Sequence, residues 1–592
     1  MASALYPASG PRCGDNVPTH RQAQAGCVGR SVSPYGACLA HLNDTELGSY
    51  LAGLDAENYI DHRGTVFSEV LLQRLLAALI SPDTLRPRFG RVDFRGAVFE
   101  GRAHFKRAVF EGRADFRGVV FKDSVTFREA TFEDDAHFMT ASFESGASFS
   151  SATFMRAVYF NLTMFTGTTN FRAAAFMRAA SFVTATFDGD VSFGSAVFTG
   201  SARFGETTFT GAVSFRGATF EETAVLGPLV CHQGLEMSEA VFGRPVSLLI
   251  AARRVVFDRT RWAATATLRL RYASVDLAHA VFEYPMTIAA EQVPFQDADG
   301  AAIAEDALAS PEGAAVRMLS LRGVDAAHLV LADVDLRSCL LAGTVHLDQI
   351  HLEGSCRFAG TPSGWRWGHP ARFTRRRALA EERRWRADKP NARHDWDPDD
   401  VLPSAAEVGH VGPAQLAPVY RALRKSFEDS KDEPGAADFY FGEMEMRRHD
   451  SGTPLSERAL LAAYWGLSGY GLRATRALVW LLLAMTATLM AMMVWGLPAN
   501  DPKPESTGKV TGQDITLVTD TSDPVNPTGP LWERPSKERF EKSLRVVVNS
   551  VIFRSSGQDL TTAGTYTEMA SRLTEPVLLG LAVLAVRGRI KR

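Results

Sequence analysis

The chain has 592 residues, enough for several domains. Its formal net charge of −3 excludes the strongly basic surface of a general nucleic-acid binder and the strong acidity that would seek a basic partner. No cationic segment followed by an apolar run opens the chain, so no secretory signal is expected.

Residues 1–43 form a Cys-containing N-terminal segment. Its first thirty residues are rich in Pro, Gly, Ala and Ser, a composition that favours disorder. Cys13, Cys27 and Cys38 lie here, and His41 follows Cys38 by three. Together they have the composition of a Cys/Cys/Cys/His zinc set. The gaps of 13 and 10 residues lack the short CxxC knuckle, so spacing alone favours unpaired, solvent-side thiols in a reducing compartment. Residues 44–87 read as a helical cap. Asp44-Thr45-Glu46-Leu47 opens one short helix. Residues 67–80, with Leu71, Leu72, Leu75, Leu76 and Leu79, predict a second with an apolar face.

Residues 88–290 carry the dominant signal. Twenty-four phenylalanines run from Phe94 to Phe220 at alternating steps of five and six. The unit is eleven residues, a period that marks a solenoid. Position −2 from each Phe is small, as at Ala97, Ala103 and Ala108. Position −1 varies freely, as at His104, Asp115 and Asn170. Two inward residues therefore flank one outward residue, as in a very short strand. A long helix fails on angle: a five-residue step turns a side chain about 140°, which would scatter the Phe residues over two faces.

This ladder resembles the pentapeptide-repeat family in its Phe-rich variant. The resemblance implies a mainly β fold, a right-handed quadrilateral parallel β-helix in which the central Phe and the −2 residue fill the interior. Two units would make one coil of 22 residues, and at about 4.8 Å per coil the regular block would rise roughly 29 Å. The rhythm continues through Leu226, Cys231, Met237, Phe242 and Leu248, then Phe257, Trp262, Leu268, Leu277, Phe282 and Ile288. Residues 291–316 read as a loop. Residues 317–360 read as a second block on Leu321, Ala326, Leu331, Leu336, Leu341, Leu347, Leu352 and Phe358. Cys231, Cys339 and Cys356 fall on inward positions and read as small core residues.

Residues 361–413 read as a charged linker whose Arg-rich stretch, interleaved with Glu381, Glu382 and Asp388, suits a solvated helix face. Residues 414–472 predict a helical hairpin, turning at Asp432-Glu433-Pro434-Gly435, and an amphipathic helix. Residues 473–592 form the membrane region. Residues 477–497 contain no charge and are long enough to span a bilayer. Arg458, Arg473 and Arg476 on the preceding side point it to the cytoplasm. A second span, about 567–586, must include Glu568, Arg572 and Glu575, and is stopped by the basic run that begins at Arg587. Both ends of the chain are then expected in the cytoplasm. Between the spans lie a polar loop and a short apolar stretch. The stretch from Tyr420-Arg421 to Glu443-Met444-Glu445 is similar to the segment that precedes the membrane part in actinobacterial pentapeptide-repeat membrane proteins, and the span order resembles the two-helix module of ion channels. Leu560-Thr561-Thr562-Ala563-Gly564-Thr565-Tyr566 departs from a potassium filter, and Gly469-Tyr470-Gly471 precedes the first span.

No Walker A, GxSxG, HExxH or CxxC pattern occurs, so neither an enzyme nor a cofactor is expected. The leading functional reading is a membrane-anchored scaffold for an unknown protein partner, embedded in a lipid bilayer, with homo-oligomerisation open to it through the membrane region. An ion-channel-like protein regulated by the solenoid is the alternative. The family also includes DNA mimics that bind a topoisomerase. The ladder carries 14 Lys/Arg against 15 Asp/Glu between Arg91 and Glu222, a balance that does not imitate phosphate spacing. No nucleic-acid partner is expected.

Overall fold

A computed structural model describes residues 11–13, 27–55, 59–311, 313–362, 375–388, 404–499, 503–511, 514–552 and 554–590. The disorder expected of residues 1–30 falls mostly outside these residues, as does much of the 361–413 linker. Residues Met1–Val411 and Gly412–Arg592 form two compact units.

In the first unit each repeat supplies a two-residue strand that pairs in parallel with its equivalent one coil further on. Val92 aligns with Ala114, Val98 with Val120, Ala103 with Val125 and Val109 with Thr131. One coil therefore has four sides. All twenty-four ladder phenylalanines are buried. Rings on one side stack along the axis, as Phe116 on Phe138 at 4.9 Å and 3°. Rings on neighbouring sides meet edge to face, as Phe149 and Phe160 at 5.4 Å and 81°. Both geometries suit the ring quadrupole. In each five-residue step the chain turns over one left-handed residue, as at Gly96 (φ +63°), Arg107 (+60°) and Ala173 (+54°). The turn closes with a hydrogen bond such as Ala97 N–H to Phe94 O, 2.9 Å.

The solenoid begins earlier than residue 88. Strands Ile60–Asp61 and Val66–Phe67 pair with the sides at Val92 and Val98. Phe67 is thus a rung stacked 4.8 Å from Phe99, and not the first residue of a helix. Helix α1 (Asp44–Ala52) starts with a reciprocal cap between Asn43 and Glu46. Helix α2 (Glu69–Ala78), capped by Ser68, takes the place of the third side in this first coil. Gly101 beneath it leaves room for Glu69, whose Cβ would otherwise lie 2.9 Å from an added methyl. His62 occupies a ladder position, fully buried between Phe67 and Phe94.

Beyond Phe220 the coil shortens. Phe242, Trp262 and Phe282 pair in register, at a closer sequence spacing than the rungs of the Phe ladder. Long strands Val225–Glu236 and Val246–Val256 replace pairs of short sides. Their outward faces carry Val230 and Ala251, which would be exposed. The 291–316 segment covers them, laying Phe295 and Leu308 on that patch. It is anchored by a buried ion pair, Arg271 Nε to Glu305 Oε2 at 2.7 Å.

The Arg-rich stretch is a cap and not a solvated face. Helix α3 (Ala380–Ala387) buries Glu381, Glu382 and Arg383. Among the described residues no further coil follows the last ones, and the Glu381 carboxylate accepts from the backbone N–H groups of Leu341 (2.5 Å) and Ala342 (2.9 Å). Burial raises the Glu381 pKa even so. Arg376 and Arg386 both donate to Glu382. Short helix α4 (Ala405–Val408) receives two hydrogen bonds from Arg322 on its last carbonyls.

The second unit is helical. Helices α5 (Pro413–Asp429) and α6 (Glu433–His449) form the hairpin. Glu433-Pro434-Gly435 is the first turn of α6 and not the connection, because Asp432 caps it and Pro needs no donor there. Gly442 lies on the Tyr420 ring, where a methyl would come within 2.3 Å of a ring carbon. Helix α7 (Leu455–Ser468) ends on Gly469 at φ +56°. Tyr470, buried, donates to Glu445 Oε1 at 2.9 Å, so Gly469-Tyr470-Gly471 is a helix stop. Helix α8 (Ala474–Ala491) continues through a π turn, Met492–Gly496. Pro504–Thr511 and Asp514–Thr521 form an antiparallel hairpin where the sequence suggested only a loop. Helices α9 (Lys537–Val551) and α10 (Thr562–Ile590) follow. The stretches Ala474–Gly496 and Thr562–Arg587 are long and apolar enough to cross a membrane.

Candidate metal centre

The four candidate ligands of the N-terminal segment come together. Residues Leu39–His41 form one turn of 3-10 helix just before α1, and it carries His41 back toward Cys38. A short antiparallel contact, Val32 with Ala37, folds the intervening chain so that Cys38 returns to Cys27. Cys13 joins through its N–H to Gly29 O, 2.8 Å.

His41 Nδ1 lies 3.3 Å from Cys13 Sγ and 3.3 Å from Cys38 Sγ. Cys27 Sγ lies 3.7 Å from Cys38 Sγ. All four ligand atoms fall within 4.8 Å of one another. A tetrahedral zinc with Zn–S near 2.3 Å and Zn–N near 2.0 Å sets about 3.8 Å between sulfurs and about 3.5 Å between sulfur and nitrogen. The observed spacings are close to those edges.

Cys13 and Cys38 are buried and Cys27 is half-buried, so these are not solvent-side thiols. Burial raises the Cys38 thiol pKa far above its ordinary value, and the Cys27 and Cys13 sulfurs beside it add to that. Cys27 moves the same way, again chiefly by burial. Cys27 and Cys38 therefore resist ionisation unless a cation sits beside them.

Gly29 is the residue that sequence reasoning overlooked. A Cβ there would lie 2.8 Å from Cys38 Cβ, 3.1 Å from Cys38 Sγ and 3.4 Å from Cys27 Sγ. Its small size lets the sulfurs converge. The pattern Cys27-Val28-Gly29 carried no signal by itself, because the ligands meet through chain that is remote in sequence.

The remaining cysteines lie apart from this cluster. Cys231 and Cys339 are in the solenoid interior, and Cys356 is half-buried near its end with its thiol 3.5 Å from Leu331 O. In the second unit Glu568 and Arg572 pair at 3.5 Å. Thr561 Oγ1 donates to Trp495 O at 2.7 Å, and Gly564 packs on the Gly496 carbonyl, which an added Cβ would approach to 2.2 Å.

Residues 105–153 and 193–241 match the family described as Pentapeptide repeats, in nine copies. No curated protein and no solved structure matches the chain.

Proposed function

We propose that this chain, whose solenoid is built from pentapeptide repeats, is a membrane-anchored interaction scaffold. The observation that carries the reading is the division of labour within each strand. The inward positions are spent on a filled Phe core, and the outward −1 positions vary from His104 to Ser148 to Asn170 on a regular frame. Solenoids of this kind present extended faces to partners. The two apolar helices supply the anchor. The basic residues before α8 favour a cytoplasmic start for it, and on this reading the solenoid and both ends of the chain are cytoplasmic.

Two experiments test this. Cysteine-accessibility labelling at Ser506 should react from outside intact cells, and at Ser456 only after permeabilisation; the reverse pattern would discard the orientation. Photo-crosslinkers placed singly at Ser148, Thr153, Tyr159 and Met164, one on each of four successive sides, in the full-length protein should trap one recurrent partner from one side of the solenoid. Equal or absent trapping from every side would sink the scaffold.

A channel-like protein is the second reading, favoured by the order span, short helix, span. Against it, Thr561 and the first turn of α10 pack on the end of the first apolar helix and do not form a free run of carbonyls. The reconstituted protein is expected to carry no ion-selective current. Reproducible selective currents abolished by Gly564→Pro would promote the channel.

A further inference from the structure

We infer that Cys13, Cys27, Cys38 and His41 bind one Zn²⁺ in a closed tetrahedral shell, and that the ion fastens the N-terminal segment over the open end of the solenoid. The ligand spacings fit the edges of such a shell, at 3.7 Å between the Cys27 and Cys38 sulfurs and 3.3 Å from His41 Nδ1 to the Cys13 and Cys38 sulfurs. Thiolate-rich donors select a soft or borderline cation over magnesium or calcium. Four protein ligands leave no position for substrate, so the ion's role is structural.

Two further observations point the same way. The hydrophobic cluster around the site contains Cys13, Ala37 and Cys38, with Cys27, Ala40 and Leu42 at its margin. Among the described residues it has no aromatic and a single large aliphatic side chain, Leu42. A core this small does not hold a segment in place without a staple. Gly29 supplies the clearance that the sulfurs need, and only a residue without Cβ does so.

The segment also sits where a cap is required. Along the solenoid, N–H groups of one coil donate to carbonyls of the next, as His62 does to Asp93 O at 2.9 Å. Arg30 N–H continues this one step outward, donating to Arg63 O at 2.8 Å. Arg30 also pairs with Asp61 at 3.5 Å. On the same strip, Val28 O lies against Gly64, whose φ is +63° and whose added Cβ would come within 2.6 Å of it. The zinc cluster thus ties the strip that covers the first coil's edge. Without that strip, the first coil presents unpaired backbone to other chains.

Binding converts three thiols to thiolates, and each releases its proton to solvent as its sulfur takes up the metal. No oxidant takes part. The test uses the full-length protein, purified in detergent under reducing conditions. Elemental analysis should find one zinc per chain, and the double variant Cys27→Ser/Cys38→Ser should lose it. Gly29→Val alters no ligand and should also lose zinc while the solenoid's melting stays unchanged. Cobalt added to chelated wild-type protein should give the visible bands of a tetrahedral thiolate site. Chelation should speed amide exchange in residues 27–42 and leave residues 94–220 unchanged. Three results would overturn the proposal. One is reduced protein that takes up no stoichiometric zinc on reconstitution. Another is a native Cys27–Cys38 disulfide, seen as a mass two hydrogens lower. The third is exchange in residues 27–42 that ignores the metal.

Discussion

The coils from Phe94 to Phe220 and the coils from Val225 to Ala290 share one axis and are held together differently. In the first group every coil has the same length and every rung is a Phe on a Phe, as Phe143 on Phe165. In the second the coil is shorter, two sides fuse into a single long strand such as Val225–Glu236, and the interior mixes Leu, Cys, Trp and Ile. The first group is self-sufficient, because aromatic stacking continues along it without a gap. The second leaves an apolar patch on its flank and depends on the 291–316 segment to cover it. Regular repetition and an added segment are two solutions to the same burial problem.

The largest effect should come from breaking the regular group at its centre. Phe149 stacks between Phe127 at 5.0 Å and Phe171 at 4.9 Å, with no exposed area. Phe149→Ala should cost about 3–5 kcal/mol. Ser148→Ala, one residue away and facing outward, should cost little. Equal and small losses in urea midpoint at both positions would contradict the inward ladder.

In the second group the weak point is the cover. Arg271 and Glu305 are 3% and 5% exposed in their side chains. Glu305→Ala leaves the Arg271 guanidinium buried beside Glu291 O and Tyr272 without its carboxylate. Removing one partner of a buried pair costs about 3 kcal/mol or more. The loss should appear locally, as faster amide exchange in residues 291–316 with residues 94–220 protected as before. The double variant Arg271→Leu/Glu305→Leu should recover much of it. Global unfolding in the single variant would show that the segment is integral and not a cover.

How much of this was legible follows from the same contrast. The Phe rungs were readable because the steps alternate strictly between five and six residues, so one spacing rule places every inward residue. Phe67 was misread because α2 interrupts the period between it and Phe89, and a leucine-rich helix beside it drew it in. The role of Glu381 was invisible for a different reason. A carboxylate that satisfies two N–H groups at the end of a coil looks, in sequence, like any other charge in an Arg/Glu run. The Cys/His cluster was named by residue type, but its convergence depends on the strip at Arg30 docking on Arg63, a contact between segments remote in sequence. The extent of the two apolar helices was readable from hydropathy, whereas the close approach of Gly496 and Gly564 was not.

His62 tests where the regular group begins. Its ring stands in for a ladder Phe, with Nε2 3.4 Å from Tyr50 Oη. Burial lowers its pKa from the usual 6.5 to about 4, against a small opposing pull from Asp61. The folded state therefore keeps it neutral while the unfolded chain takes up a proton below about pH 6.5. Its contribution is intact above that pH and is lost as the pH falls toward 4. Between pH 6.5 and 5 the loss should be about 1.5 kcal/mol. His62→Phe should flatten that stretch of the stability profile and extend the ring stack by one. An unchanged acid slope would mean that the first coil opens separately from the ladder.

The smallest effect concerns the corners that make the regular group regular. Each five-residue step needs one left-handed residue, and glycine fills it at Gly96, Gly118 and Gly217. Elsewhere side chains are forced into it, as at Ala173 with φ +54°. That conformation costs a residue with a Cβ about 1–2 kcal/mol. Ala173 is exposed, so replacing it removes no packing. Ala173→Gly relieves the backbone but widens the unfolded ensemble, which offsets roughly 0.5–1 kcal/mol. The net expectation is a gain of up to about 1 kcal/mol, seen as a small upward shift of the urea midpoint with an unchanged slope. The converse, Gly96→Ala, should lower it by a similar amount, since nothing lies within 4 Å of the added methyl and only the backbone angle is at issue. If both changes destabilise, the corner tolerates side chains because of contacts they make with the next coil, and the equivalence of the corners fails.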